Sequence, residues 1–338
     1  MASTRKPPPL ILGLLVAIGV VVVQSLLVPL FAGIASNSEP RDLPVVVAGP
    51  PAAAEEFAGQ LAAARPDALE ITRVADASAA EQALRDREAY AAFVLGPDGV
   101  ALHTASAASQ TTAQLLTQAA SEFGGGTPVP VVDVVPGSAD DPRGAGFSAG
   151  FLPLALTSML AGVAITLLVP GWRARLVGVF GFAVLAGLVG TAVLQGWVGV
   201  LDGDYLSSAA AVGLFALAVS AAVAGLGAAL GGPGLGLGAL VAFLAGNPLS
   251  AVSAAPELLP QPWGAVGQWL PPGAGQTLLR SATWFDWAGS TQSLWVLAGW
   301  TVLGLVLVTV GRARVAAVGG RGADEALVSG PRVATGTG

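Results

Sequence analysis

Glu257, Arg280 and Asp286 are the only charged residues between Ala255 and Gly289. A guanidinium between two carboxylates can hold either one through two parallel hydrogen bonds, a geometry that lysine cannot reproduce. The expected chemistry is structural: Arg280 pairs with Glu257 or Asp286 and clamps two short helices into a hairpin. The competing expectation is that Arg280 reaches a lipid phosphate, where any basic side chain would serve.

Reactive side chains are scarce elsewhere. Cysteine is absent, which excludes a disulfide framework, thiolate catalysis and cysteine metal sites. The single lysine, Lys6, follows no glycine-rich phosphate loop, so a Walker-type ATPase is excluded. The single histidine, His103, has neither a nearby nucleophile motif nor a second metal ligand in its segment. Nothing here assembles an enzyme, and no catalytic residue, cofactor, metal or nucleic acid is expected.

The elements that position these residues are apolar. Of 338 residues, 54% are hydrophobic and 11% charged, the balance of an integral membrane protein. Six uncharged runs are long enough to cross a bilayer: Leu10–Ala32, Phe147–Pro170, Leu176–Val200, Leu206–Leu230, Gly234–Ala254 and Ser290–Gly311. The first exceeds the ~7–15 residues of a signal-peptide core and reads as an uncleaved anchor. The fifth is interrupted by Asn247 and Pro248. Glycine pairs four apart, Gly227/Gly231 and Gly234/Gly238, are expected to let helices pack closely, either between adjacent spans of the chain or, as the alternative, at a subunit interface.

Charge gives the orientation. Arg5, Lys6, Arg173, Arg175, Arg312, Arg314, Arg321 and Arg332 fall on one side, while Asp202, Asp204, Glu257 and Asp286 fall on the other. The positive-inside rule then puts residues 1–9 and 312–338 in the cytoplasm, the latter as a disordered tail. It also makes Arg173 and Arg175 candidate cytoplasmic contacts. Because the spans carry no carboxylate or histidine, an ion-driven carrier is disfavoured.

Residues 33–146 form a polar insert between the first two spans, with 15 of the 21 acidic residues against six arginines. "PVVVAG" (Pro44–Gly49) and "LEITRV" (Leu69–Val74) read as strands, and "SAAE" (Ser78–Glu81) as a capping box. Two further strands flank the turn Pro97-Asp98-Gly99. A helix through "ASQTTAQLLTQAASEF", a break at Gly124–Gly126 and a strand in "VPVVDVV" complete the order β-α-β-α-β-β-α-β. This is an extracytoplasmic α/β domain, tethered by the loop Pro136–Gly146.

Residues 255–289 lie outside the membrane and hold four of the eight tryptophans, Trp263, Trp269, Trp284 and Trp287. Tryptophan favours the headgroup level, so the segment is expected to lie in the interface or to re-enter as a hairpin over a cavity. "WGAVGQWL" is expected to form one short helix stopped by Pro271-Pro272, and "GQTLLRSATWFDW" a second. Arg280, Glu257, Asp286, Asn247, Pro248, Pro260, Trp263 and Pro271 are the candidate structural or gating residues.

One span, a large outside α/β domain and five further spans resemble the type-two permease superfamily of ABC transporters, in its phage-infection-protein-like bacterial branch. The motif that carries the resemblance is Pro256, Leu259-Pro260, Trp263, Leu270-Pro271 and Arg280, ahead of the last span. The resemblance implies a bacterial plasma-membrane subunit that exports a lipid, glycan, peptide or drug-like substrate. It also implies a homodimer or permease heterodimer driven by a separate ATP-binding subunit. Members coupled to such a subunit have an amphipathic helix before span one and a docking loop between spans two and three. In this sequence "MASTRKPPP" and "GWRAR" stand there and depart from that pattern, offering a partner little surface. The alternative is a non-transporting receptor or envelope-assembly scaffold that uses the α/β domain as its binding module.

Overall fold

The computed structural model describes residues 8–97, 99–123 and 128–328. Asp98, the turn residue between two expected strands, and the Gly124–Gly126 break lie outside them. Among the described residues, six helices are long and apolar enough to cross a membrane: Pro9–Ile34, Ala145–Leu168, Trp172–Trp197, Tyr205–Leu230, Gly232–Leu249 and Thr291–Gly311.

The polar insert folds as a five-stranded sheet. Its elements are β1 (Leu43–Ala48), α2 (Pro51–Ala64), β2 (Leu69–Val74), α3 (Ala77–Arg85), β3 (Ala91–Gly96), β4 (Gly99–Thr104), α4 (Gln110–Phe123) and β5 (Val131–Asp133); α1 is the preceding apolar helix, Pro9–Ser36. The strand order is β2-β1-β3-β4-β5, parallel throughout except for the β3–β4 hairpin. Alternation along β1 divides the core. Leu43, Val45 and Val47 face α2 and α4, whereas Val46 and Ala48 face α3.

One detail of the α/β domain differs from the sequence reading. Helix α3 is capped by Asp76, whose carboxylate accepts the Ala79 N–H at 2.9 Å. Ser78 therefore sits inside the helix, and there is no Ser78–Glu81 box. An aspartate at N-cap serves the same orphan donors, and it stands two residues earlier.

The remaining helices are α5 (Ala145–Leu168), α6 (Trp172–Thr191), α7 (Tyr205–Leu230), α8 (Gly232–Ala239), α9 (Gly246–Leu249), α10 (Trp263–Gln268), α11 (Pro271–Trp284) and α12 (Thr291–Val328). Helix α7 is central, packed by α5, α6, α8, α11 and α12. Small residues allow this. A Cβ on Gly304 would run into the Ala221 backbone, and one on Gly225 into Gly304. Gly227, Gly234 and Gly238 likewise pack within the chain, while Gly231 (φ +68°) makes the turn between α7 and α8.

Span five stays helical through Asn247-Pro248 and stops one residue later, at Leu249. A π-helical turn, Leu240–Ala245, joins α8 to α9. Proline at 248 would clash with the carbonyl four residues back in a regular helix, and the wider π turn accommodates it. The helical span ends at Leu249 rather than Ala254. A second π turn, Ala192–Trp197, extends α6. The last helix runs from Thr291 to Val328, and residues 329–338 of the expected tail lie outside the described residues. Helix α1 is largely exposed; near its C-terminal end Leu30 and Ile34 pack against Leu249, Ala251, Leu259 and Leu270.

Candidate functional site

The segment after span five folds as the 3-10 turn Pro256–Leu258 followed by α10 and α11. Pro271 and Pro272 occupy the first positions of α11, where a missing N–H costs nothing. They start the second helix instead of stopping the first. The hairpin lies against the α/β domain: Ala255 and Leu258 complete the core on the α2–α4 face, and Phe285 completes the α3 face.

Arg280 is at the centre of this contact and only 2% exposed. Its Nη1 donates to the Ala107 carbonyl at 2.8 Å and to Gln110 Oε1 at 3.4 Å. Its Nη2 donates to the Val252 carbonyl at 2.9 Å, and its Nε to Gln276 Oε1 at 3.2 Å. The guanidinium lies 4.2 Å from the centre of the Phe147 ring, at the start of α5. One side chain thus joins the α/β domain, the loop after span five, the hairpin and span two. Four of the guanidinium's five N–H groups are engaged by oxygen acceptors.

The expected Arg280 clamp to a carboxylate is overturned. Among the described residues, Arg280 pairs with neither Glu257 nor Asp286. Two carbonyl oxygens, two glutamine amides and an aromatic face satisfy it. Glu257 instead accepts the Tyr90 hydroxyl at 3.0 Å. Asp286 is exposed, at a left-handed φ of 46°. Burial, then the charge of nearby Arg87, draws the Arg280 pKa down to about 9, which leaves it cationic at neutral pH.

Arg87 is the second cation of the contact. It donates to the Thr277 carbonyl at 3.0 Å and to Ser281 Oγ, and lies 5.1 Å from the Phe285 ring centre. Its φ is +60°, unusual for a residue with a Cβ. Burial lowers its pKa, against the raising influence of Tyr90 and Glu257. Burial also raises the Glu257 and Tyr90 pKa values.

Amide and hydroxyl groups extend the network. Gln276 donates to the Ser250 carbonyl at 3.1 Å, and Thr277 to Gln268 Oε1 at 2.8 Å. Thr111, on α4, donates to the Ser253 carbonyl at 2.6 Å. Span two begins in the same place. Both Asp141 oxygens accept backbone N–H groups, from Gly146 at 3.0 Å and Phe147 at 2.7 Å, fixing the ring on which Arg280 lies. Every polar group here is a donor or acceptor held in place, and no nucleophile–base pair is among them. The arrangement ties the α/β domain to the hairpin and to the loop after span five.

The other expected residues are dispersed. Asn247 and Pro248 lie on α9, half-buried, and the Asn247 carbonyl accepts Ser250 Oγ at 2.7 Å. The Pro260 carbonyl accepts the Trp263 N–H at 2.9 Å. Trp263 and Trp269 are exposed, whereas Trp284 and Trp287 pack against the helical core. Arg175 is occupied in capping α5, donating to the Val169 and Thr166 carbonyls at 3.0 and 2.8 Å. Arg173 is exposed beside Trp172. His103 is buried, with Nδ1 3.6 Å from Glu81.

Arg87, Tyr90, Gln110 and Gln276 were not expected at the site. Only Gln276 carried a signal, its spacing of four from Arg280 on a helix. No family model, curated protein or solved structure matches the chain.

Proposed function

We propose that this chain is a permease-like membrane subunit of an export system, with its α/β domain on the outer face and both termini in the cytoplasm. The observation that carries the reading is the Arg280 node, which bonds the α/β domain and span-linked backbone through one buried cation. A substrate or partner held by the domain would then bear on spans two and five without an intervening flexible joint. The charge asymmetry of the short loops supports the orientation. Energy would come from a separate ATP-binding subunit meeting the α5–α6 turn, where Arg173 is exposed. The shallow groove between α6 and α7, lined by Phe180, Val184, Leu188, Gly213 and Leu217, suits a second copy or a related permease.

The second reading, a receptor or assembly scaffold, is favoured by the glycine-mediated packing around α7, which brings α12 backbone to backbone with it. Purification of the tagged full-length chain from its native membrane separates the two. Co-purifying ATP hydrolysis that is lost with Arg173→Glu supports the permease. Repeated preparations without a nucleotide-binding subunit favour the scaffold.

A further inference from the structure

A cavity of about 470 Å³ opens between the C-terminal ends of α2 and α4, against the edge of the sheet where β1 and β2 begin. Its size lies in the range of small-molecule sites, ~300–1,000 Å³. Leu61, Leu69, Phe93, Leu115, Leu116 and Ala120 wall it. Water would find few partners on such a surface, so an apolar occupant is favoured. The rim differs from the walls. Arg65 contributes a cation from the α2 side and Glu122 an anion from the α4 side, both exposed.

The cavity lies close to the bilayer. Helix α1 has 28 residues and so is about 42 Å long, comparable to the ~40–45 Å of a bilayer with its head groups. Pro40, on the cavity edge, follows the end of α1 at Ser36 by four residues. Four extended residues span at most ~14 Å. The flanking backbone is fixed as well, since Glu39 and Arg41 donate their N–H groups to Leu258 and Glu257 of the hairpin. The cavity is therefore held within reach of the adjoining leaflet.

We propose that this cavity receives an acyl chain of a zwitterionic phospholipid with an ammonium head group, drawn from that leaflet. Its phosphate faces Arg65 and its ammonium faces Glu122. The apolar walls select the chain, and the paired rim charges select a head group carrying both signs. A quaternary ammonium lacks N–H donors for Glu122, so phosphatidylethanolamine is preferred to phosphatidylcholine. The site holds whether the protein exports a substrate or serves as a scaffold.

The test uses the full-length protein in phosphatidylcholine vesicles containing phosphatidylethanolamine with a photoactivatable acyl chain. After irradiation, adducts are mapped by mass spectrometry. Labels are expected on the α2 and α4 peptides besides those on the spans. Ala64→Trp, at an exposed position on the rim, should lower the cavity labels about tenfold, since excluding two methylenes is worth roughly that much. Ala119→Phe repeats the block from the opposite wall, and thermal unfolding confirms that each variant is folded. Glu122→Gln should reduce the preference over a phosphatidylglycerol analogue.

Labels confined to the spans, or cavity labels unchanged by both blocking variants, would overturn the site. Equal labelling by phosphatidylglycerol would overturn the head-group assignment. Labelling by a photoactivatable fatty acid added from solution, but not by the vesicle lipid, would overturn the membrane source.

Discussion

The Arg280 guanidinium donates to the Ala107 carbonyl at 2.8 Å, across 173 positions of sequence. Because the acceptors are carbonyls fixed in the folded backbone, the shape of the donor matters as well as its charge. A lysine ammonium cannot reach Ala107, Gln110 and Val252 together, and leaving buried carbonyls unpaired costs ~1–3 kcal/mol each. Arg280→Lys is therefore expected to lower the thermal stability of the detergent-solubilised protein markedly. Charge reversal at Asp286 should neither reproduce nor rescue this effect. An unchanged transition for Arg280→Lys would mean that a point charge suffices.

Glu257 makes the docked state sensitive to pH. Its carboxyl is raised above the ordinary 4.5, chiefly by burial, against the lowering effects of its hydrogen bonds and of Arg87. The folded protein keeps this proton at pH values where the unfolded chain has lost it. Its favourable contribution is complete below the ordinary carboxylate range and is lost as pH rises through the raised value. Melting temperature should thus fall across that window more steeply in the native protein than in Glu257→Gln. Parallel profiles would remove Glu257 from the account.

Phe285 closes the α3 face of the sheet from the hairpin and lies under Arg87. Truncation to alanine removes a side chain that is 4% exposed, with an expected cost of ~3–5 kcal/mol. For the same reason the isolated fragment from Pro40 to Pro136, which lacks both Leu258 and Phe285, should unfold at lower denaturant concentration than the domain within the whole protein. Equal midpoints would show that the domain core is complete by itself.

Long apolar runs and period-two alternation are properties of many residues at once, so the six long helices and the sheet were legible in the sequence. The partners of Arg280 were not. Ala107 and Val252 contribute carbonyl oxygens that every residue possesses, and no side-chain pattern marks them. The visible carboxylates, Glu257 and Asp286, drew the inference toward a conventional ion pair. Pro271-Pro272 was ambiguous for a related reason, since proline follows one helix as readily as it begins the next. The π turn before Pro248 likewise left no sign beyond the proline that it accommodates.

Close packing of α7 on α12 gives the fourth expectation. Gly304→Ala places a methyl group against the Ala221 backbone, which has no flexible atom to move aside. The helices must separate, losing contacts along the interface. A drop in melting temperature is expected, larger than for Gly299→Ala, where nothing lies within 4 Å. Similar effects at both positions would point to helix propensity instead.

Orientation is open to direct labelling, because the chain has no native cysteine to interfere. Ser78 lies exposed on α3 of the α/β domain, and Ala174 lies exposed in the first turn of α6. One span, α5, separates Ser78 from Ala174, which puts the two positions on opposite sides if that helix crosses. With Arg173 and Arg175 beside it, Ala174 belongs on the cytoplasmic side under the positive-inside rule. An impermeant thiol reagent applied to intact cells should therefore modify Ser78→Cys and spare Ala174→Cys, and lysis should expose the second. Reversal of the pattern would invert the assignment, and labelling of both in intact cells would mean that α5 does not cross.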